Sequence, residues 1–170
     1  MLRRKKAFSR PKKPWAIARM GEESILVKEY GLKTKTEIWR ASEILKKWRE
    51  IAKKITVMTG ERKENEAKIL ITKLQKYGII SAEADIDDVL ALTLKDILEK
   101  RLQTVVYKKN MALTAKQARQ FIVHNKVAVN KEKISSPSYL VKIADEVSFV
   151  PGFKPKLVQE KPVTVKPEEK

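Results

Sequence analysis

Residues 101–147 constrain the fold more than any other stretch. Arg101-Leu102-Gln103-Thr104-Val105-Val106-Tyr107 is followed by Thr114-Ala115-Lys116-Gln117-Ala118-Arg119-Gln120 and by His124-Asn125-Lys126-Val127-Ala128-Val129-Asn130. Pro137-Ser138-Tyr139 closes the run. The spacing predicts two short helices and then a small strand-rich tail. Basic and amide side chains gather on one face of this unit. Residues 101–135 hold eight Lys/Arg against one acid, Glu132. A compact module with that asymmetry is suited to meeting phosphate.

Upstream the pattern is helical. Glu22 to Tyr30 predicts a short helix stopped by Gly31. Thr34-x-x-Glu37 has the form of a capping box. The helix it would open carries Ile38, Ala41, Ile44, Leu45, Trp48, Ile51, Ala52 and Ile55 as one apolar stripe. Glu43 with Lys47, and Glu50 with Lys54, are oriented as supporting i,i+4 pairs. Thr59-Gly60 interrupts the pattern. Residues 61–77 resume it through Ala67, Leu70, Ile71, Leu74 and Tyr77, up to Gly78. Asp85 can cap a helix at 86–91. Asp85, Asp87 and Asp88 could suggest a metal, but acids in a first helical turn already suit the macrodipole, so no metal site is expected. Thr93-x-x-Asp96 should open a helix running to about Asn110. Thr114-x-x-Gln117 caps the next, with Ala115, Ala118, Phe121 and Ile122 facing inward. Asn110 and Asn125 fall where left-handed backbone is expected. Val127, Val129 and Ile134 flank an Asn130-Lys131 turn, and Leu140-Val141 and 147–150 supply further short strands.

The expected fold class is therefore α+β: a mostly helical N-terminal lobe and a small two-helix, short-strand module, with an extended basic N-terminus and a flexible C-terminal tail. The divisions are an arm over 1–20, a helical lobe over 21–100, the module over 101–152 and an extension over 153–170. Net charge is +17, and residues 1–20 carry eight basic groups and no acid. Such a balance predicts a polyanionic partner, nucleic acid before membrane. No apolar run reaches the ~20 residues of a membrane span, and no apolar segment follows Met1 to Lys6 as in a signal peptide. With no Cys, disulfides and Cys-based zinc sites are excluded. A cytoplasmic protein without cofactor or small-molecule substrate is expected.

The motifs Arg-Leu-x(4)-Tyr, Thr-x-x-Gln-Ala-Arg-Gln, His-x-x-Val-x-Val-Asn and Pro-Ser-Tyr resemble the RNA-binding domain first named from small-subunit ribosomal protein four. Pro14-Trp15, Tyr30-Gly31-Leu32-Lys33, Glu37-Ile38-Trp39-Arg40 and Asp87-Asp88-Val89-Leu90-Ala91-Leu92 extend the resemblance to the archaeal and eukaryotic branch of that ribosomal family, over roughly residues 1–155. Family members usually have Gly where this chain has Asn110 and Asn125.

The resemblance implies recognition without catalysis. It points to Lys108, Lys109, Thr114, Lys116, Gln117, Arg119, Gln120, Lys126, Asn130, Ser138 and Tyr139 as RNA contacts, with Arg119 foremost. Arg and Lys suit phosphate, and amides suit sugar or base edges. Unsatisfied amides at the helix start by Thr114 can also hold phosphate. Gln117 could serve its own cap instead, and Tyr139 could be core. His124, the lone histidine, fits a helix-end hydrogen bond or a phosphate or ribose contact. The arm adds Arg3, Arg4, Lys5, Lys6, Arg10, Lys12, Lys13 and Arg19, a polycation that orders on RNA; Arg40 and Arg101 complete the basic set. Among the tryptophans, Trp48 lies on the core stripe, and Trp39 could face the second lobe or RNA. Trp15, beside the arm, is the best base-stacking candidate.

Membership would imply a structural constituent of the small subunit that binds its rRNA at a multi-helix junction. It would also imply neighbouring ribosomal proteins, a place near the mRNA entrance, and influence on assembly and accuracy. Two alternatives remain. RNA-modifying enzymes carry the same module but add a catalytic domain of well over 100 residues, and no Gly-rich phosphate loop or catalytic motif occurs here. Stand-alone factors for stalled ribosomes or heat shock usually lack the matched N-terminal lobe.

Overall fold

The computed structural model describes residues 7–81, 83–153 and 155. The fold is α+β, with seven helices and one three-stranded antiparallel sheet among the described residues. The first five helices are α1 (Ile17–Glu29), α2 (Lys35–Val57), α3 (Glu61–Lys76), α4 (Ile86–Ala91) and α5 (Leu94–Glu99). The stripe of α2 is the spine of this lobe: Ile38, Ala41, Leu45, Trp48, Ala52 and Ile55 are buried, joined by Leu70, Leu74, Val89, Ile97 and Leu98. Ile51 stays largely exposed at the stripe's edge. α1 begins at Ile17 rather than Glu22. Gly21 lies inside it, spanned by the i,i+4 ion pair of Arg19 and Glu23.

Of the three capping boxes expected in this lobe, two form and one does not. Asp85 and Asp88 form a reciprocal box at α4, as do Thr93 and Asp96 at α5. Thr34 makes no side-chain cap for α2. Its hydroxyl shares a hydrogen bond with Thr36 at 2.7 Å, and Glu37 turns inward instead. The expected Glu43 and Glu50 pairs are also replaced. Glu43 accepts from Ser9, and Lys46 pairs with Glu50 at 3.8 Å.

The second unit comprises α6 (Leu102–Lys108), α7 (Ala115–Val123), β1 (Val127–Val129), β2 (Glu132–Lys133) and β3 (Val147–Phe149), with strand order β2-β1-β3. The single helix expected from Thr93 to Asn110 is split at Lys100-Arg101. The returning segment 137–141 crosses there and takes the backbone groups: Leu102 N–H donates to Tyr139 O at 2.7 Å, and Val141 N–H to Lys100 O at 2.9 Å. Leu140 accordingly makes one bridge with Arg101, not a further strand. The β1–β2 hairpin turns on Asn130 and Lys131, with φ 51° and 70°. A two-residue hairpin loop of that hand needs positive φ at both positions. Asn110 and Asn125 both lie at φ 56°, as expected.

A separate apolar cluster serves this unit, built on Leu102, Val106, Ala118, Ile122, Val127 and Val129. Phe153 extends it, with its ring centroid 5.5 Å from those of both Phe121 and Phe149. The two units meet at Gly31 (φ +59°), where an added Cβ would lie 2.8 Å from Ala115 Cβ. No helix among the described residues is long and apolar enough to cross a membrane.

Candidate nucleic-acid interface

A buried charge network joins the two units. Glu37, on the first turn of α2, is 7% exposed; Arg101 is 4% exposed. Arg101 Nη2 donates to Glu37 Oε2 at 2.6 Å and to Ser138 Oγ at 3.1 Å. Arg119, on α7, reaches the same carboxylate through Nη2 to Oε1 at 2.9 Å and Nη1 to Oε2 at 3.2 Å. Burial pushes the Glu37 carboxyl up, but hydrogen bonds and charge from Arg119 and Arg101 outweigh it and hold Glu37 below the usual carboxylate range. Gln103, 1% exposed, completes the joint. Its Nε2 donates to Tyr30 O, Gly31 O and Ala115 O at 3.1, 2.9 and 2.9 Å, and Arg119 Nη1 lies 3.4 Å from its Oε1.

This network engages two of the expected RNA contacts within the fold. Arg101 is buried among protein partners. Arg119 is directed at Glu37, with 23% of its side chain exposed, and so ties α7 to α2. Three more expected contacts are engaged within the fold. Asn130 uses both ends of its amide, donating to Asp145 Oδ1 and accepting Glu146 N–H, each at 2.9 Å. Tyr139 packs on the module's core and donates to Asp145 Oδ2 at 3.3 Å. Gln117 serves the cap: Thr114 Oγ1 accepts its N–H at 3.2 Å, and its Oε1 accepts Leu113 N–H at 2.8 Å. Ser138 is an exposed residue, but its hydroxyl accepts from Arg101.

The remaining module residues form an exposed surface. Lys116, Gln120 and His124 recur at steps of four along α7 and its C-cap, so they share one outward stripe. Lys109 and Lys126 are also exposed. Lys108 is half exposed and pairs with Glu99 at 3.0 Å, and Lys126 Nζ sits 5.4 Å from the Phe153 ring centroid. Among the described residues no carboxylate pairs with Lys109, Lys116 or Lys126. With Glu37 turned inward, the positive charge on this side faces solvent.

Arg3, Arg4, Lys5 and Lys6 lie outside the described residues. The rest of the arm folds back on α1 and α2. Arg19 pairs with Glu23 and donates to Pro14 O at 2.8 Å and Lys13 O at 3.2 Å. Arg40 is exposed, 5.7 Å from the Phe8 ring centroid. Arg10, Lys12, Lys13 and Trp15 are exposed, Trp15 at 83%. Trp39 faces neither the second unit nor solvent alone: its Nε1 donates to Glu23 Oε1 at 3.0 Å, and its ring lies 5.9 Å from Phe8. Sequence reading missed Glu37 and Gln103 as the joint. The available signal was an amide within an apolar helical segment, two residues after an arginine.

Comparison with known proteins follows the same division. The S4 domain family matches residues 100–147. Most of the chain is similar to the small ribosomal subunit protein uS4 of Nanoarchaeum equitans, with 46% identity over 155 residues, covering 89% of this chain and 86% of that protein. The protein of the same name from Ignicoccus hospitalis is 42% identical, covering 89% and 90%. That from Methanococcus aeolicus is 45% identical, covering 86% and 85%.

Proposed function

We infer that this chain, which belongs to the small ribosomal subunit protein uS4 family, is a structural, non-enzymatic constituent of the small ribosomal subunit that binds its rRNA. The observation that carries the reading is the outward stripe Lys116, Gln120 and His124, with exposed Lys109 and Lys126 in the segments that flank α7, while Glu37 is turned inward. Exposed ammonium groups on a rigid surface neutralise phosphates and release counterions. Amide and imidazole groups among them suit sugar and base edges. The match to relatives runs through the helical lobe as well as the module, which favours a ribosomal protein over a stand-alone factor that carries the module alone.

The finer reading is that the two units, held at a fixed angle by Glu37, Arg101, Arg119 and Gln103, grip RNA helices at a multi-helix junction. The protein would thereby assist subunit assembly. Neighbouring ribosomal proteins and a position near the mRNA entrance, with influence on translational accuracy, follow from family membership, as does a cytoplasmic, ribosome-bound location. Titration against junction RNA and a scrambled control at several salt concentrations tests this. Deleting residues 1–14 removes seven basic groups and should flatten the slope of log K against log salt by several units, while Lys116→Ala should change it by about one. Equal affinity for junction and scrambled RNA, or an unchanged slope after arm deletion, would overturn it.

A further inference from the structure

The arm, α1 and the start of α2 enclose a cleft of about 670 Å³, within the size range of small-ligand sites. Its walls include Arg10, Lys12, Trp15, Glu23, Lys35 and Trp39. The floor is built from buried polar chemistry. Glu23 is 6% exposed. Its Oε1 accepts from Arg19 and from Trp39 Nε1. Its Oε2 is buried, lies 3.5 Å from Lys35 Nζ, and has no hydrogen-bond donor among the described residues. A buried carboxylate oxygen without a hydrogen bond is costly unless a partner completes it. Trp15, on the wall of the same cleft, presents its indole to solvent, 83% exposed. Arg19 holds the wall in place through Lys13 O and Pro14 O. None of these residues takes part in the Glu37 network.

We propose that this cleft is a binding site for one unstacked RNA nucleotide whose base carries an exocyclic amino group. The base stacks on Trp15, Lys35 swings off Glu23 to donate to the adjacent ring nitrogen or carbonyl, the Oε2 it uncovers accepts the base's amino N–H, and Arg10 and Lys12 take the flanking phosphates. Unpaired bases are recognised in this way, by an aromatic platform with hydrogen bonds to an exposed edge. A uracil is disfavoured, because two carbonyl oxygens flank its single N–H and would face the carboxylate. The site rests on the rRNA-binding reading and adds to it a named nucleotide contact outside the S4 module.

The test uses the full chain and single-stranded hexanucleotides of only adenosine, only cytidine or only uridine, alongside the junction RNA. Wild type should bind the adenosine and cytidine oligomers more tightly than the uridine one, with quenched tryptophan fluorescence. Trp15→Ala should weaken the first two by roughly 5- to 100-fold, the range of one base–aromatic stack, and remove most of the quench. Lys35→Ala, a change at a partly exposed position that leaves the Arg19–Glu23 pair alone, should weaken them as well. Glu23→Gln should erase the preference over uridine. Unchanged oligomer affinity in both Trp15→Ala and Lys35→Ala, with junction RNA still bound by wild type, overturns the site while leaving the rRNA reading standing. Failure of wild type to bind junction RNA overturns both.

Discussion

Glu37→Gln probes the joint between the two units most sharply. The wild-type carboxylate accepts three N–H bonds, one from Arg101 and two from Arg119. The two guanidiniums differ in their escape routes. Arg119, with 23% of its side chain exposed, can rotate toward water; Arg101, at 5%, cannot. Removing one partner of a buried ion pair costs about 3–5 kcal/mol. Gln retains a neutral acceptor and Arg119 can leave, so the cost belongs near the lower end, about 3 kcal/mol. At about 2–4 °C per kcal/mol for a chain of this length, the midpoint should fall by roughly 6–12 °C. Arg119→Ala removes charge-assisted bonds but leaves Arg101 on Glu37, so about 1–2 kcal/mol is expected. Adding Arg101→Met to Glu37→Gln should recover part of the loss, since the stranded buried charge is gone. Thermal and urea unfolding followed by circular dichroism at pH 7 measure all four proteins. If Glu37→Gln melts within 2 °C of wild type, or Arg119→Ala costs more than it does, the assignment of the joint is wrong.

Two further outcomes follow from the same structure. Asn130→Val should destabilise by about 2–4 kcal/mol, through left-handed backbone strain and two lost hydrogen bonds, whereas Asn130→Gly should lose only the bonds; urea midpoints of the two variants decide this. Stability should also fall on acidification. Glu37 and Asp145 both lie below the usual carboxylate range: burial raises each, but Arg119 and Arg101 outweigh it at Glu37, and the Lys142 N–H with Asn130 and Tyr139 at Asp145. Their contribution is therefore complete above the unfolded carboxylate value near 4 and lost as pH falls through the lower folded values, so urea midpoints should hold from neutrality to about pH 5, drop below about pH 4, and drop less steeply in Glu37→Gln.

Features of this fold that depend on neighbours in sequence were legible in it. The α2 stripe needs only 3.6-residue periodicity, and the capping boxes at Asp85 and Thr93 need only a partner three residues on. Asn110 and Asn125 announce positive φ through residue type, and Asn130-Lys131 announces a turn. What failed was non-local. Thr34-x-x-Glu37 has the form of a cap, yet two guanidiniums 64 and 82 residues away claim the carboxylate. The helix expected to run through Arg101 breaks because segment 137–141, some 40 residues downstream, takes its backbone groups. The same limit blurred the candidate interface. Charge marked the N-terminal arm and residues 101–135 as basic, but not which cations have partners inside the fold: Arg101 and Arg119 bond Glu37, while Lys109, Lys116 and Lys126 face outward.

Stoichiometry in the ribosome tests the central claim most directly. Small subunits from cells expressing the tagged chain, pelleted through a high-salt cushion and quantified by mass spectrometry, should hold one copy per subunit. A ratio far below one, with the chain left in the supernatant, would contradict the reading of this protein as a structural rRNA-binding component.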